Sequence, residues 1–263
     1  MIENIRNNFK DYIVKNNLKS AIIGISGGLD SAVNAALLYP ICKELGIPFI
    51  GRYIHIESNK EIEWETARWI GTHFCTDFKS IDLTDYFKSF PFEDTKTNYQ
   101  IRQGNVKARL RMIYLRDLAK QYDGLMIDNS NYTEWNLGFF TIADGGDYSP
   151  LKYCWKTEVY NIAKELLKEC NRSQANALQK AIDMIPTDGL GISNSDLGQI
   201  GAESYEQVDI ILKDVIEWEC DIINPTLTDY MHDYINSEVP FDIPLQVVKN
   251  VAERHFNSKF KRK

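Results

Sequence analysis

The run at 21–25, Ala-Ile-Ile-Gly-Ile, is short and apolar, and it stops abruptly at Ser26-Gly27-Gly28-Leu29-Asp30-Ser31. Five residues are too few for a helix and suit a strand covered on both faces, as in a parallel sheet. From Asp30 to about Leu45, the residues Val33, Ala36, Leu37 and Ile41 recur at helical spacing, with Pro40 expected to bend or shorten that helix. Strand, glycine turn and helix in that order commit the chain to a βα architecture.

The rest of the sequence repeats the alternation. An opening amphipathic helix over 2–17 carries Ile5, Phe9, Tyr12 and Ile13 at helical spacing. Strand signals follow at 49–56, more weakly at 78–83, and at 124–128. Between them lie helical stretches at 61–73 and 106–121. Strands separated by helices imply right-handed βαβ units, hence an α/β fold with a parallel sheet and helices on both faces. No repeat or low-complexity linker divides the chain, so residues 1–263 are expected to form one domain, ending in a helical and basic segment from about 205. In such sheets ligands collect at the carboxyl ends of the strands.

A net charge of -7 leaves no excess of Lys and Arg to neutralise a phosphate backbone, which argues against a nucleic-acid groove. The one basic cluster, Lys259, Lys261, Arg262 and Lys263, reads as a solvated terminus or a binding element. Five cysteines, odd in number and never spaced C-x-x-C, argue against a disulfide framework or a zinc site. No signal core and no apolar run of about 18 residues is present, so a soluble cytoplasmic protein without a membrane partner is expected.

Gly27 and Gly28 let the backbone turn and approach a ligand at the start of a helix whose first N–H groups point outward, and Ser26 and Ser31 add hydroxyls. That suits a phosphate. Neither G-x-x-x-x-G-K-[ST] nor G-x-G-x-x-G is present. Asp30 would repel phosphate oxygens unless a divalent cation lay between them, so it calls for a metal such as Mg²⁺. An ordinary βα turn with ordinary helix-start residues is the bland alternative. Lys107, Arg109 and Arg111 alternate ahead of the helix at 106–121, either as a solvated face paired with acids such as Asp117 or as ligand contacts. After the strand at 124–128, a long polar segment holds Glu134, Asp144, Gly145, Gly146, Asp147 and Lys156, too much for a simple connection. Lys156 falls near the start of a helix at 157–167, where its charge opposes the helix dipole unless an anion shares the place.

SGGLDS after an apolar strand resembles the SGGxDS signature of the ATP pyrophosphatases, a Rossmann-like superfamily of the adenine nucleotide alpha hydrolase type. With the blocks K-A-R-x-R-M, E-x-x-x-G-F-F-T, D-G-G, P-L-x-x-x-x-K-T-E-V and IPTDGLGIS, the chain is similar over most of its length to ammonia-dependent NAD synthetase. The resemblance implies amidation of deamido-NAD by ammonia at the expense of ATP, through an acyl adenylate. It places Gly24, Ile25, Ser26, Gly27, Gly28, Leu29, Asp30, Ser31, Lys156 and Thr187 on ATP, with Asp30 and Lys156 as catalytic residues. It sets Asp30 and Glu134 on Mg²⁺, and Arg109, Asp147 and Lys261 on deamido-NAD. It also implies a homodimer. Ile142 stands where the family has a lysine, Asn129 or Ser130 where it has a threonine, and Phe260 where it has a histidine. The glycine-rich stretch 186–201 suits a mobile flap carrying Thr187. Another ATP pyrophosphatase, thiolating or GMP-forming, and a nucleotide-binding module without catalysis remain as alternatives.

Overall fold

Four parallel strands form the centre: β1 Ala21–Gly24, β2 Phe49–His55, β3 Asp77–Asp82 and β4 Leu125–Ile127, in the spatial order β3-β2-β1-β4. The computed structural model describes residues 1–57, 61–93, 96–187, 195–237 and 242–262. Side chains alternate across the sheet as the period of two requires. Ala21, Ile23, Leu125 and Ile127 enter one core, while Ile22 and Met126 enter the other, so both faces are covered. β3 is the edge strand and is largely half-buried or exposed, which accounts for its weaker apolar signal.

One face carries α1 Ile2–Lys15, α2 Leu29–Leu45, α3 Glu61–Phe74, α7 Lys156–Glu169 and α8 Arg172–Ile182. The other carries α4 Thr84–Lys88 and the long α5 Tyr99–Gln121. α5 begins seven residues before the expected position 106, because residues 99–105 supply a polar, half-exposed turn that periodicity does not mark. α2 was expected to bend or stop early at Pro40 and instead runs to Leu45. Residues 31–38 of α2 are all buried, and that packing outweighs the cost of about 3 kcal/mol of an interior proline.

A third apolar cluster joins α6 Tyr132–Leu137 and α9 Asp196–Ile200 to α10 Tyr205–Cys220, α11 Leu227–Asn236 and α12 Leu245–Asn257, with a closing 3₁₀ turn at Lys259–Arg262. The basic terminus is not simply solvated. Arg262 donates to the carbonyl of Asn136 at 2.6 Å, and Lys261 donates to the carbonyls of Gly138 and Phe140 at 2.8 and 3.0 Å. Cations at the C-terminal end of α6 meet its orphan carbonyls, where the helix dipole favours them.

Candidate active site

β1 lies between β2 and β4, so the loops leaving β1 and β4 face each other at the carboxyl edge of the sheet. The loop after β1 turns through Gly27, whose φ of +91° disfavours a side chain; a Cβ there would lie 2.4 Å from the carbonyl oxygen of Glu63. Gly28 then precedes α2 without any side-chain cap. The hydroxyls are ordered on the loop itself. Ser31 Oγ donates to the Gly28 carbonyl at 3.0 Å, and the Gly28 N–H donates to Ser26 Oγ at 3.2 Å. The first N–H groups of α2 remain directed outward, as an anion site needs.

Asp30 occupies the first turn of α2. Across the gap, Asn131 caps α6 by accepting the Glu134 N–H at 3.0 Å, which brings Glu134 into the first turn of that helix. Lys156 opens α7, and its ammonium contacts Asp30 and, at 3.1 Å, Glu134 Oε1. Three residues from three separate blocks of sequence therefore meet. Lys156 is only 2 % exposed, so an unpaired ammonium would be untenable there. Burial disfavours its charge, but Asp30 and then Glu134 outweigh that and hold its pKa well above the usual lysine range. Burial pushes Glu134 up to about 7 against the pull of Lys156, with Asp30 and Asp196 adding to the rise. Glu134 therefore holds a proton more readily than an ordinary carboxyl.

The lysine is set from its backbone as well. The Lys156 N–H donates to Thr133 Oγ1 at 2.8 Å; Thr133 donates in turn to Asp209 at 2.5 Å, and Asp209 accepts the Thr157 N–H at 2.9 Å. Asp209, on α10, so joins α6 to the start of α7. Tyr205 lies 5.5 Å from the Lys156 ammonium across its ring face and donates to Asp196 at 3.4 Å.

A cavity of about 530 Å³ opens over this trio. Gly24, Ile25, Ser26, Gly28, Leu29, Asp30, Ser31, Glu134, Lys156, Thr187 and Lys261 all line it, with Gly27 immediately behind. Arg109 and Asp147 are not among its lining residues. Arg109 donates from two nitrogens to the Ile142 carbonyl at 3.2 and 3.1 Å. Asp147 accepts the Met126 N–H at 2.9 Å and pairs with Arg116 at 2.7 Å, while Arg116 also reaches the Gly145 carbonyl at 2.6 Å. Both residues order the segment whose Thr141, Asp144 and Gly146 do line the cavity. Lys107, from the same basic block, faces Glu57 at 3.8 Å and the Phe87 ring at 4.8 Å. Of the stretch expected as a flap, residues 188–194 lie outside the described residues, and Asp196–Ile200 form α9. Sequence reasoning passed over Asn131, Thr133, Asp209 and Tyr205. The only available signal was the position of the first two beside Glu134.

Comparison with known proteins gives a consistent result. The family model for NAD synthase matches residues 1–263. The NH(3)-dependent NAD(+) synthetase of Thermoplasma acidophilum is 32% identical over 202 residues, covering 76% of this chain and 78% of that protein. That of Finegoldia magna is 31% identical over 212 residues, covering 80% and 82%. Among solved structures, the NMN synthetase of Francisella tularensis aligns over 100% of this chain and 94% of its own with a TM-score of 0.73 at 22% identity. The NH3-dependent NAD synthetase of Campylobacter jejuni aligns over 100% and 95% with a TM-score of 0.69 at 21% identity. The fold is thus shared with these structures, and the sequence match fixes the kinship: this chain belongs to the NAD synthase family.

Proposed function

We propose that the protein is an ammonia-dependent NAD synthetase, a ligase that converts deamido-NAD, ATP and ammonia to NAD, AMP and pyrophosphate. The observation that carries this reading is the meeting of Asp30, Glu134 and Lys156 beside an uncapped glycine turn in one cavity. The nicotinate carboxylate attacks the α-phosphorus of ATP, the bond to pyrophosphate breaks, and an acyl adenylate forms. Ammonia then attacks the acyl carbon, the bond to AMP breaks, and the nitrogen loses a proton. No protein nucleophile is needed; positioning and electrostatics carry the reaction.

In this reading the loop N–H groups with Ser26 and Ser31 hold ATP phosphates, with Gly24, Ile25, Gly27, Gly28 and Leu29 forming the wall and Thr187 closing it. Lys156 stabilises the departing pyrophosphate. The donor set suits Mg²⁺: two carboxylates within reach of one ammonium position can share a cation whose other oxygens come from phosphate and water. When bound by Asp30 and Glu134, Mg²⁺ would neutralise phosphate charge. For deamido-NAD we assign Lys261 a direct contact, and Arg109 and Asp147 the ordering of segment 141–147. Residues 1–263 act as one catalytic domain in a cytoplasmic homodimer.

Purified protein with ATP, Mg²⁺, ammonium and deamido-NAD should release pyrophosphate and form NAD, and Asp30→Ala should abolish both. Because the Francisella neighbour is an NMN synthetase, the assay is run in parallel with the deamido mononucleotide. Turnover of neither acid, or turnover indifferent to Asp30→Ala, refutes the assignment. Sedimentation and cell fractionation test the homodimer and its location.

A further inference from the structure

The two carboxylates of the site come from helices that begin on different loops, and a single side chain spans them. Asn131 is wholly buried. Its Oδ1 accepts the Glu134 N–H at 3.0 Å and its Nδ2 donates to Asp30 Oδ1 at 2.8 Å. We propose that Asn131 is the positioning residue of this site, holding Asp30 and Glu134 in the one arrangement in which both face the position of the Lys156 ammonium.

The argument rests on what each end of the amide can do. α6 has six residues, too few to be stable without its ends being fixed, so the placement of Glu134 depends on the cap. The donor end of the amide assigns the oxygens of Asp30: Oδ1 goes to Asn131, and Oδ2 is turned toward Lys156. Only a side chain with an acceptor and a donor on one rigid plane does both. Asn131 is itself carried on a braced loop. Asn34, buried in α2, donates to the Asp128 carbonyl at 3.2 Å and to Asn129 Oδ1 at 3.0 Å; Asn129 donates to the Gly24 carbonyl at 2.8 Å. That amide chain ties the loop after β4 to the end of β1, so the spacing between Asp30 and Glu134 is fixed by the backbone of the sheet.

The inference rests on the reading that Asp30 and Glu134 handle phosphate and its cation, and the test separates the two. Ser and Asp cap helices about as well as Asn. Asn131→Ser and Asn131→Asp therefore keep the cap and remove the amide Nδ2 that reaches Asp30: the serine hydroxyl is one bond shorter, and the aspartate carries no donor. Three quantities are measured for each: the thermal midpoint of the free protein, the calorimetric affinity for ATP with Mg²⁺ and no acid substrate, and the kcat and KM of the full reaction. Loss of a hydrogen bond to a charged group predicts ATP affinity or kcat lower by about 10- to 100-fold for Asn131→Ser. Its thermal midpoint and its KM for the acid should stay near those of the wild type. Asn131→Asp should lose at least as much, because a carboxylate then faces Asp30. Wild-type ATP affinity and kcat in Asn131→Ser would overturn the proposal, as would a loss of activity that only follows the thermal midpoint. Should the wild type bind ATP but amidate no acid, the functional reading fails while the ATP titrations still decide the role of Asn131.

Discussion

Lys156→Met removes one charge from a buried set of three and should show its effect as a pH slope. At 3.1 Å from Glu134 Oε1, the ammonium attracts that carboxylate by about 5 kcal/mol at an effective dielectric of about 20. If about half survives relaxation and water entry, its loss raises the Glu134 pKa by about 2 units. The wild-type value is already pushed to about 7 by burial. A carboxyl with a folded pKa above its unfolded one binds more protons when folded, so stability falls as pH rises through that window. In the wild type this fall ends near 7. In Lys156→Met it continues to about 9, adding a loss of about 2 to 3 kcal/mol between pH 7 and 9. At neutral pH, where Glu134 of the variant holds its proton, loss of the contact with Asp30 should already cost about 1 to 3 kcal/mol. Urea unfolding at pH 6, 7, 8 and 9 without nucleotide measures both. A destabilisation that does not change between pH 7 and 9 would refute the claim that Lys156 sets the ionisation of Glu134.

Three further outcomes are expected. Gly27→Ala forces a Cβ against the Glu63 carbonyl at a positive φ, so ATP affinity should fall in calorimetry and stability should drop by more than about 1 kcal/mol. Thr133→Val leaves Asp209 short of a donor and the Lys156 N–H short of an acceptor; urea unfolding should show a loss of about 1 to 3 kcal/mol, largely restored in Thr133→Ser. Arg262→Met leaves the Asn136 carbonyl with only the longer bond from Ser258 Oγ at 3.3 Å, and amide hydrogen exchange at 136–141 should accelerate while that of β1 and β2 is unchanged.

Much of the sheet could be read from apolar runs, because strands covered on both faces are mostly apolar: residues 21–25 are so throughout, 49–56 admit only Arg52 and His55, and 124–128 end in Asp128. Asp30 also stood out in the sequence, as a carboxylate in a glycine turn, and it does line the cavity against Lys156. Asn131 and Thr133 did not stand out. A buried asparagine at a helix start looks the same whether it only caps the helix or also reaches another loop, and the difference lies in Asp30, 101 residues away. Asp147 shows the converse problem: its partner Arg116 sits mid-helix among other polar residues of α5, where spacing marks no one of them. The terminal basic cluster gave its charge but not its acceptors, because carbonyls at the end of α6 leave no trace in composition.

The strand order has a consequence for how the protein is made. Asp30 leaves the ribosome early, whereas Glu134 and Lys156 follow only after β4, and β4 must find β1 across a chain of roughly 100 residues, a slow, non-local closure. Until then Asp30 lacks the ammonium of Lys156 that it meets in the folded chain. In the proposed function, affinity for nucleotide is therefore acquired at the end of folding and not with the motif. ATP then stabilises only chains whose sheet has closed, drawing the last folding equilibrium toward completion by mass action.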